Sequence, residues 1–419
     1  MSDNTPFGPG RAAGLDRLAN FAGRAGKRYA KGRNFDFGPA SRGNVSMLSP
    51  YIRHRLLTEN EILKTTLDHH SLAAASKFVE EVFWRTYFKG WLEHRPGVWA
   101  DYRHDVAQLA MQLETSAELR DRYDTALSSQ TGIDCFDAWM AELLDTGYLH
   151  NHARMWFASI WVFTLGLPWQ LGADLFYRHL IDGDPASNTL SWRWVSGLHT
   201  KGKTYLARAS NIAAYTEYRF NPAKQLASSA PPLVDTRVYK AGVLPAAHQG
   251  PVTGRFGLLI TEEDCLPESL DLGGAPQQLL AALTTESRSP LKVAKPARQF
   301  AIAAALDALD RGKRHYGAPG EMAQPGDWGT MLLDWSSRER LSSIVTAYAP
   351  VGPVAEQLAR ARVKLEEQGV TLINVRRRYD SVAWPHASKG YFKLKAQIPD
   401  ILSTLGIVAC SDALQRAAG

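Results

Sequence analysis

Two short stretches carry most of the side chains able to do chemistry. The first, HNHARM at 150–155, sets Asn151 and Arg154 three residues apart, on one face of any helix formed there. The second, LIDGDPASNTLSWRW at 180–194, supplies Asp182, Asp184, Asn188, Trp192 and Trp194. A buried arginine–aspartate pair is costly unless both groups are satisfied, so it serves either a ligand or a structural lock. Amides and carboxylates can grip the polar edge of a flat heterocycle, and indoles can stack on it or pass electrons. Together these types suit holding a flavin and moving electrons to and from it. Taken singly, each also reads as a capping aspartate, a salt bridge or a core aromatic.

Helices must position these groups. From Ser71 to His94, apolar residues recur at Leu72, Ala75, Phe78, Val79, Val82, Phe83, Tyr87 and Trp91, a helical stripe that Pro96 and Gly97 end. Further helices are predicted over 133–146 (stopped by Gly147), 151–165 (stopped by Gly166 and Pro168) and 170–180. The turn at 182–185 closes the last of them. Segment 221–235, rich in Pro, Ser and Ala, reads as a linker. Beyond it, 256–261, 343–349 and 370–375 read as short buried strands, with helices near 298–312, 352–368 and 391–404. Strands alternating with helices imply a parallel α/β sheet. The expected organisation is a flexible leader at 1–27, a helical domain at 28–222, a linker at 223–240 and an α/β domain at 241–419.

The composition, 45% hydrophobic and 21% charged in 419 residues, allows two or three ordinary globular domains. No apolar run approaches the roughly 20 residues of a membrane span. The start, MSDNTPFGPGRAAG, has no apolar signal core, which suggests a cytoplasmic protein. Cys135, Cys265 and Cys410 stand too far apart for a zinc or iron–sulfur pattern, so no metal site is expected. A net charge of +6 permits contact with phosphate backbones without requiring it. Nine of the 12 tryptophans fall between residues 84 and 194, as a helical core or an electron-transfer path would each need.

Segment 131–194 resembles the flavin-binding half of the DNA photolyase and cryptochrome family. Thr131-Gly132, Thr146-Gly147, HNHARM, Ile181-Asp182-Gly183-Asp184, Asn188, Trp192 and Trp194 stand in the family's order. The resemblance implies an all-helical photolyase-type FAD-binding domain, here followed by a smaller α/β domain. It implies that Arg154 pairs with Asp182 beside the flavin ring, that Asp184 accepts hydrogen bonds from the ring edge, and that Asn188 faces the reactive nitrogen. In 44–51, Ser46, Leu48, Ser49 and Pro50 match the family's phosphate-binding pattern, whereas Val45 and Met47 depart from it. Small hydroxyls at a helix start are also ordinary caps. Tyr29 fits the family's phosphate-contacting tyrosine.

Residues 77–91 resemble the family helix that bears on damaged bases, with Glu81, Trp84 and Arg85 in register and Thr86 in place of a glutamate. By resemblance, Glu81 hydrogen-bonds the damaged bases and Arg85 makes a polar contact near the cofactor. Trp84 and Trp194 clamp an extruded base, Met155 lies beneath it, and Asn151 completes the catalytic set. Methionine at 155 points to cyclobutane dimers. Trp192 and Trp169 match the inner and middle members of the family's electron chain. The outer position falls near Ser116, leaving Tyr123, Trp139 or Trp156 as candidates. The expected activity is light-driven repair of cyclobutane pyrimidine dimers by photoexcited reduced FAD. The partner is damaged DNA, single- or double-stranded, and the protein is expected to be a monomer with no membrane contact. The alternatives are a cryptochrome-like photoreceptor without repair and (6-4) photoproduct repair. Segment 343–375 faintly resembles an antenna strand–helix–strand unit, so a relocated antenna domain is a further expectation.

Overall fold

The computed structural model describes residues 6–248 and 250–408; Cys410 lies outside them. The chain opens with α1 (Arg11–Ala22), α2 (Lys27–Gly32), α3 (Ser49–Arg53) and α4 (Glu59–His69). The long α5 (Leu72–Glu93) follows, then α6 (Gly97–Thr115), α7 (Ala117–Leu127) and α8 (Asp134–Thr146). After them come α9 (Asn151–Ser159), α10 (Trp169–His179), α11 (Pro185–Val195) and α12 (Ala209–Tyr215). The apolar stripe of 71–94 forms α5, started by the Ser71 side chain on Ala74 N–H. Gly147, at φ 66°, ends α8 in the left-handed conformation that a side chain disfavours. The helix expected over 151–165 stops being α-helical at Ser159. One π-helical turn, Ile160–Thr164, follows it.

Residues 11–22, expected within a flexible leader, form α1 instead. Leu18 and Phe21 are buried on one helical face, and Phe7 packs against Tyr51 and Tyr148. Burying these aromatics repays the entropy of ordering the segment. The expected linker belongs to a longer irregular stretch, 216–255, whose described residues form no helix or strand. It is strapped to the helical half where Arg237 pairs with Asp105 and Arg193 with Asp235.

The second half carries a five-stranded, wholly parallel sheet of β1 (Phe256–Thr261), β2 (Gln278–Ala282), β3 (Gly320–Met322), β4 (Ser343–Ala347) and β5 (Thr371–Val375). Its order is β3-β2-β1-β4-β5. Helices α13 (Lys295–Tyr316), α14 (Trp328–Glu339) and α15 (Pro353–Glu367) connect the strands. The short α16 (Arg378–Ala383), α17 (Tyr391–Lys395) and α18 (Ile398–Thr404) follow β5. This confirms the expected pairing of a helical half with an α/β half.

The cores do not respect that division. One contains Trp139, Trp156, Trp161 and Trp192 within the helical half. Another runs from Phe21 and Phe83 through Leu258 and Phe300 to Tyr379 and Leu394. Charged groups reinforce the junction. Glu262, Glu263 and Asp264 follow β1, and Arg53 Nη2 meets Glu263 at 2.7 Å. Arg55 meets Asp380 at 2.7 Å and Asp264 at 3.7 Å, while Glu93 accepts a bond from Tyr348. No described helix is long and apolar enough to cross a membrane.

Candidate active site

Helix α11 packs against both α5 and α9, and each of the three presents a partly exposed face. On α5 that face carries Glu81, Trp84, Arg85 and Phe88; on α9, Asn151, Arg154 and Met155; on α11, Asn188 and Trp194. On α5 and α9 the residues recur at helical steps of three and four, so each of those sets lies on one side of its helix.

Arg154 Nη2 stands 2.9 Å from Asp182 Oδ2, as the resemblance implied, and Arg154 Nε donates to Leu149 O. Asp182 is nearly buried, at 3% side-chain exposure against 22% for Arg154. Its second oxygen, Oδ1, is buried without a protein partner. The guanidiniums of Arg154 and Arg42 lie 5.2 and 5.3 Å from the Tyr148 ring. Tyr148 belongs to the same buried core as Tyr29, Met47 and Leu48. Ser46 accepts from Leu48 N–H, Ser49 opens α3, and both are partly exposed. Tyr29 is buried between Phe21 and Phe78.

Asp184 caps α11 by accepting from Ser187 N–H and Oγ, with Pro185 in the first helical position. Its other oxygen meets Arg85 at 3.0 Å and Lys89 at 3.5 Å. Burial would raise the carboxyl, but Arg85, Lys89, Arg53 and the Ser187 N–H together hold it far below the carboxylate range. Asp184 is therefore a saturated carboxylate, which differs from the ring-edge acceptor implied by resemblance. Asn188 Nδ2 donates to Ala173 O at 2.7 Å. Gly183, between the two aspartates, admits no Cβ: it would lie 2.7 Å from Tyr177 O and 3.0 Å from Leu180 O. His150 caps α9 by accepting from His152 N–H, and burial pulls its imidazole down to about 4.

On α5, Glu81 pairs with Arg33, and burial raises its carboxyl against the opposing pull of that arginine. Trp84 stacks on Tyr391 of α17, centroids 3.5 Å apart and planes within 10°. Trp194 stacks on Tyr205. Each expected clamp tryptophan thus already has an aromatic neighbour. Thr86, in place of the family's glutamate, bonds the Tyr379 hydroxyl at 2.8 Å.

Trp192 is buried beside Trp161, centroids 6.3 Å apart, and Trp161 lies 6.0 Å from Tyr123. Trp169 stacks on Tyr102. Trp139 and Trp156 form their own stack with His152. Sequence reasoning missed Trp161, Tyr102, Lys89 and Tyr391. Trp161 was legible as one of the clustered tryptophans; Lys89 lay on the recognised helix, one turn beyond Arg85. Tyr391, some 300 residues from Trp84, gave no local signal.

Residues 78–229 match the family model described as the FAD binding domain of DNA photolyase. A deoxyribodipyrimidine photo-lyase of Synechococcus sp. is 30% identical over 197 residues, covering 45% of this chain and 39% of that one. That of Streptomyces griseus is 33% identical over 159 residues, 37% of this chain and 33% of its own. That of Thermus thermophilus is 32% identical over 197 residues, covering 47% and 45%. A class III photolyase structure from Agrobacterium tumefaciens is similar at 26% identity over 51% of this chain and 44% of that one, with a TM-score of 0.43, too partial to inform the fold. The chain spans only about two fifths of the length of the curated relatives it matches. Residues 78–229 thus form a domain similar to the FAD-binding domain of DNA photolyases.

Proposed function

We propose that this protein repairs cyclobutane pyrimidine dimers in DNA, driven by light, with reduced FAD held between α5, α9 and α11. What supports the reading is that Glu81 and Trp84 of α5, Arg154 and Met155 of α9, and Asn188 of α11 are all partly exposed, on three helices of which α11 packs against both others.

The residues fit the cofactor. Asp182 Oδ1 and Arg85 Nε are buried without protein partners, which leaves an acceptor and a donor for a polar ring. FAD, once bound and reduced, would supply absorption of blue light and the electron needed to split the dimer. Arg154 supplies positive charge beside the ring, which favours its anionic reduced form. Asp182 keeps Arg154 in place, and neutral Asn188 adds no opposing charge. Ser46 and Ser49 are the hydroxyls offered to the pyrophosphate. Asp184 fixes the α11 N-terminus and the Arg85 guanidinium. Glu81, oriented by Arg33, is the hydrogen-bonding partner for the lesion, and Asn151 lies at the open end of α9. Trp84 and Trp194 give stacking walls worth roughly 1–3 kcal/mol per base. Trp192 is the inner electron relay and Trp169 the middle one.

Illuminating the reduced protein with a thymine-dimer oligonucleotide should restore the thymine absorbance, with no change in the dark. Yellow, photoreducible protein that repairs neither this nor a (6-4) substrate would favour the second reading, a blue-light photoreceptor. One contact favours that reading: Thr86 ties α5 to Tyr379 of the C-terminal half, a route by which a change at the flavin could reach a signalling surface.

An antenna role for the α/β half is a separate proposal. In sheets of this order ligands usually enter where strand order reverses, here between the ends of β1 and β4. Glu263, just past the end of β1, pairs there with Arg53 and Lys89. A second chromophore in the absorption spectrum of purified protein would support the role.

A further inference from the structure

Glu81 and Trp84 lie between two short basic elements, both outside the matched domain. On one side α2 packs on α5, exposing Lys27 and Lys31, and Arg33 just beyond it pairs with Glu81. On the other side α17 packs on α5, anchored by the Tyr391–Trp84 stack and by the Tyr391 hydroxyl, which donates to Glu80 O at 3.0 Å. The residue after that anchor, Phe392, is 79% exposed, and Lys389 and Lys393 beside it are exposed as well.

A phenylalanine held in water forgoes roughly 1.5–3 kcal/mol of burial, so its exposure beside lysines suggests an absent partner. Lysines neutralise phosphates, and an exposed ring stacks on a base or sugar. A nucleic acid strand combines both features, and the anchoring residue touches the tryptophan assigned to the damaged base.

We propose that α17, from the C-terminal half, is a DNA-contacting lip of the lesion site. Lys389 and Lys393 hold phosphates flanking the damaged pair, and Phe392 stacks on a neighbouring base or deoxyribose. This rests on the dimer-repair reading given above.

The test uses full-length, FAD-loaded protein and fluorescence anisotropy with a duplex carrying one thymine dimer, beside an undamaged duplex, across a range of salt. All three residues are exposed, so Phe392→Ala and the double variant Lys389→Ala/Lys393→Ala should fold and keep their flavin. Phe392→Ala should weaken dimer binding about tenfold. The double variant should reduce the slope of log affinity against log salt by about 2. Wild-type affinity and slope in both variants, with wild-type protein still repairing dimers, would overturn the lip and leave the repair reading standing. A wild type that neither prefers nor repairs the dimer duplex would instead remove the repair reading, and the lip with it.

Discussion

Replacing Arg154 with methionine should strand Asp182, and the structure sets the size of the effect. The two groups meet at 2.9 Å, and the aspartate side chain is only 3% exposed with one oxygen already unpartnered. Removing one member of a buried pair costs about 3–5 kcal/mol, mainly as the penalty of the charge left behind. Arg154 is 22% exposed, so some water can reach the gap and the lower end, about 3 kcal/mol, applies. That is roughly a hundredfold in the folding equilibrium. Adding Asp182→Asn removes the stranded charge, so Arg154→Met/Asp182→Asn should regain about 2 kcal/mol of the loss. Denaturant unfolding of flavin-free protein measures this coupling, and fluorescence titration with FAD measures the second consequence. Arg154→Met, Asp182→Asn and the double variant should each bind FAD more weakly, because the pair is assigned to the ring. Additive single-variant losses would show that the two groups are not coupled. Unchanged FAD affinity in every variant would show that the ring lies elsewhere.

Gly183→Ala should destabilise the fold by about 1–3 kcal/mol and lower flavin content, since its Cβ would press on backbone carbonyls that cannot move aside; thermal unfolding and flavin absorbance report both. Trp192→Phe should slow photoreduction of the oxidised flavin most, and Trp161→Phe should slow it too if electrons leave through Tyr123; transient absorption separates the steps. Burial holds His150 and His199 near 4 and His179 near 3, below their unfolded value of about 6.5. Groups with depressed values stabilise the fold fully above pH 6.5 and lose that contribution as pH falls through 6.5 towards 4. For the fully buried His150 the loss is on the order of 2–3 kcal/mol. The denaturation midpoint should therefore fall across that window, and less steeply in His150→Asn.

Local pattern made much of this fold legible. The stripe from Leu72 to Trp91 and the runs at 256–261 and 343–349 announce their own periods, and the structure forms α5, β1 and, two residues shorter, β4 there. The Arg154–Asp182 pair was legible because a motif fixes both partners within 28 residues. What escaped is mostly long-range. Strands β2 and β3 are short, and β2 is an apolar run, QLLAA, that a helix would tolerate equally well. Helix α1 has a weak stripe, and long-range contacts hold it: Phe21 against Tyr29 and Phe78, and Arg11 with Glu61. Resemblance assigns Asp184 to the ring edge, yet Arg85 and Lys89, about a hundred residues earlier, pair with it. Likewise, no local rule foretells that Tyr391 covers Trp84.

The central claim is that the Glu81–Trp84 face and the Arg154–Asp182–Asn188 set form one site. Light-dependent repair of a thymine-dimer duplex by Glu81→Ala and Trp84→Ala, compared at equal bound flavin, tests it most directly. The account predicts full flavin content with repair per absorbed photon reduced at least tenfold in each variant. Wild-type repair in both would contradict it.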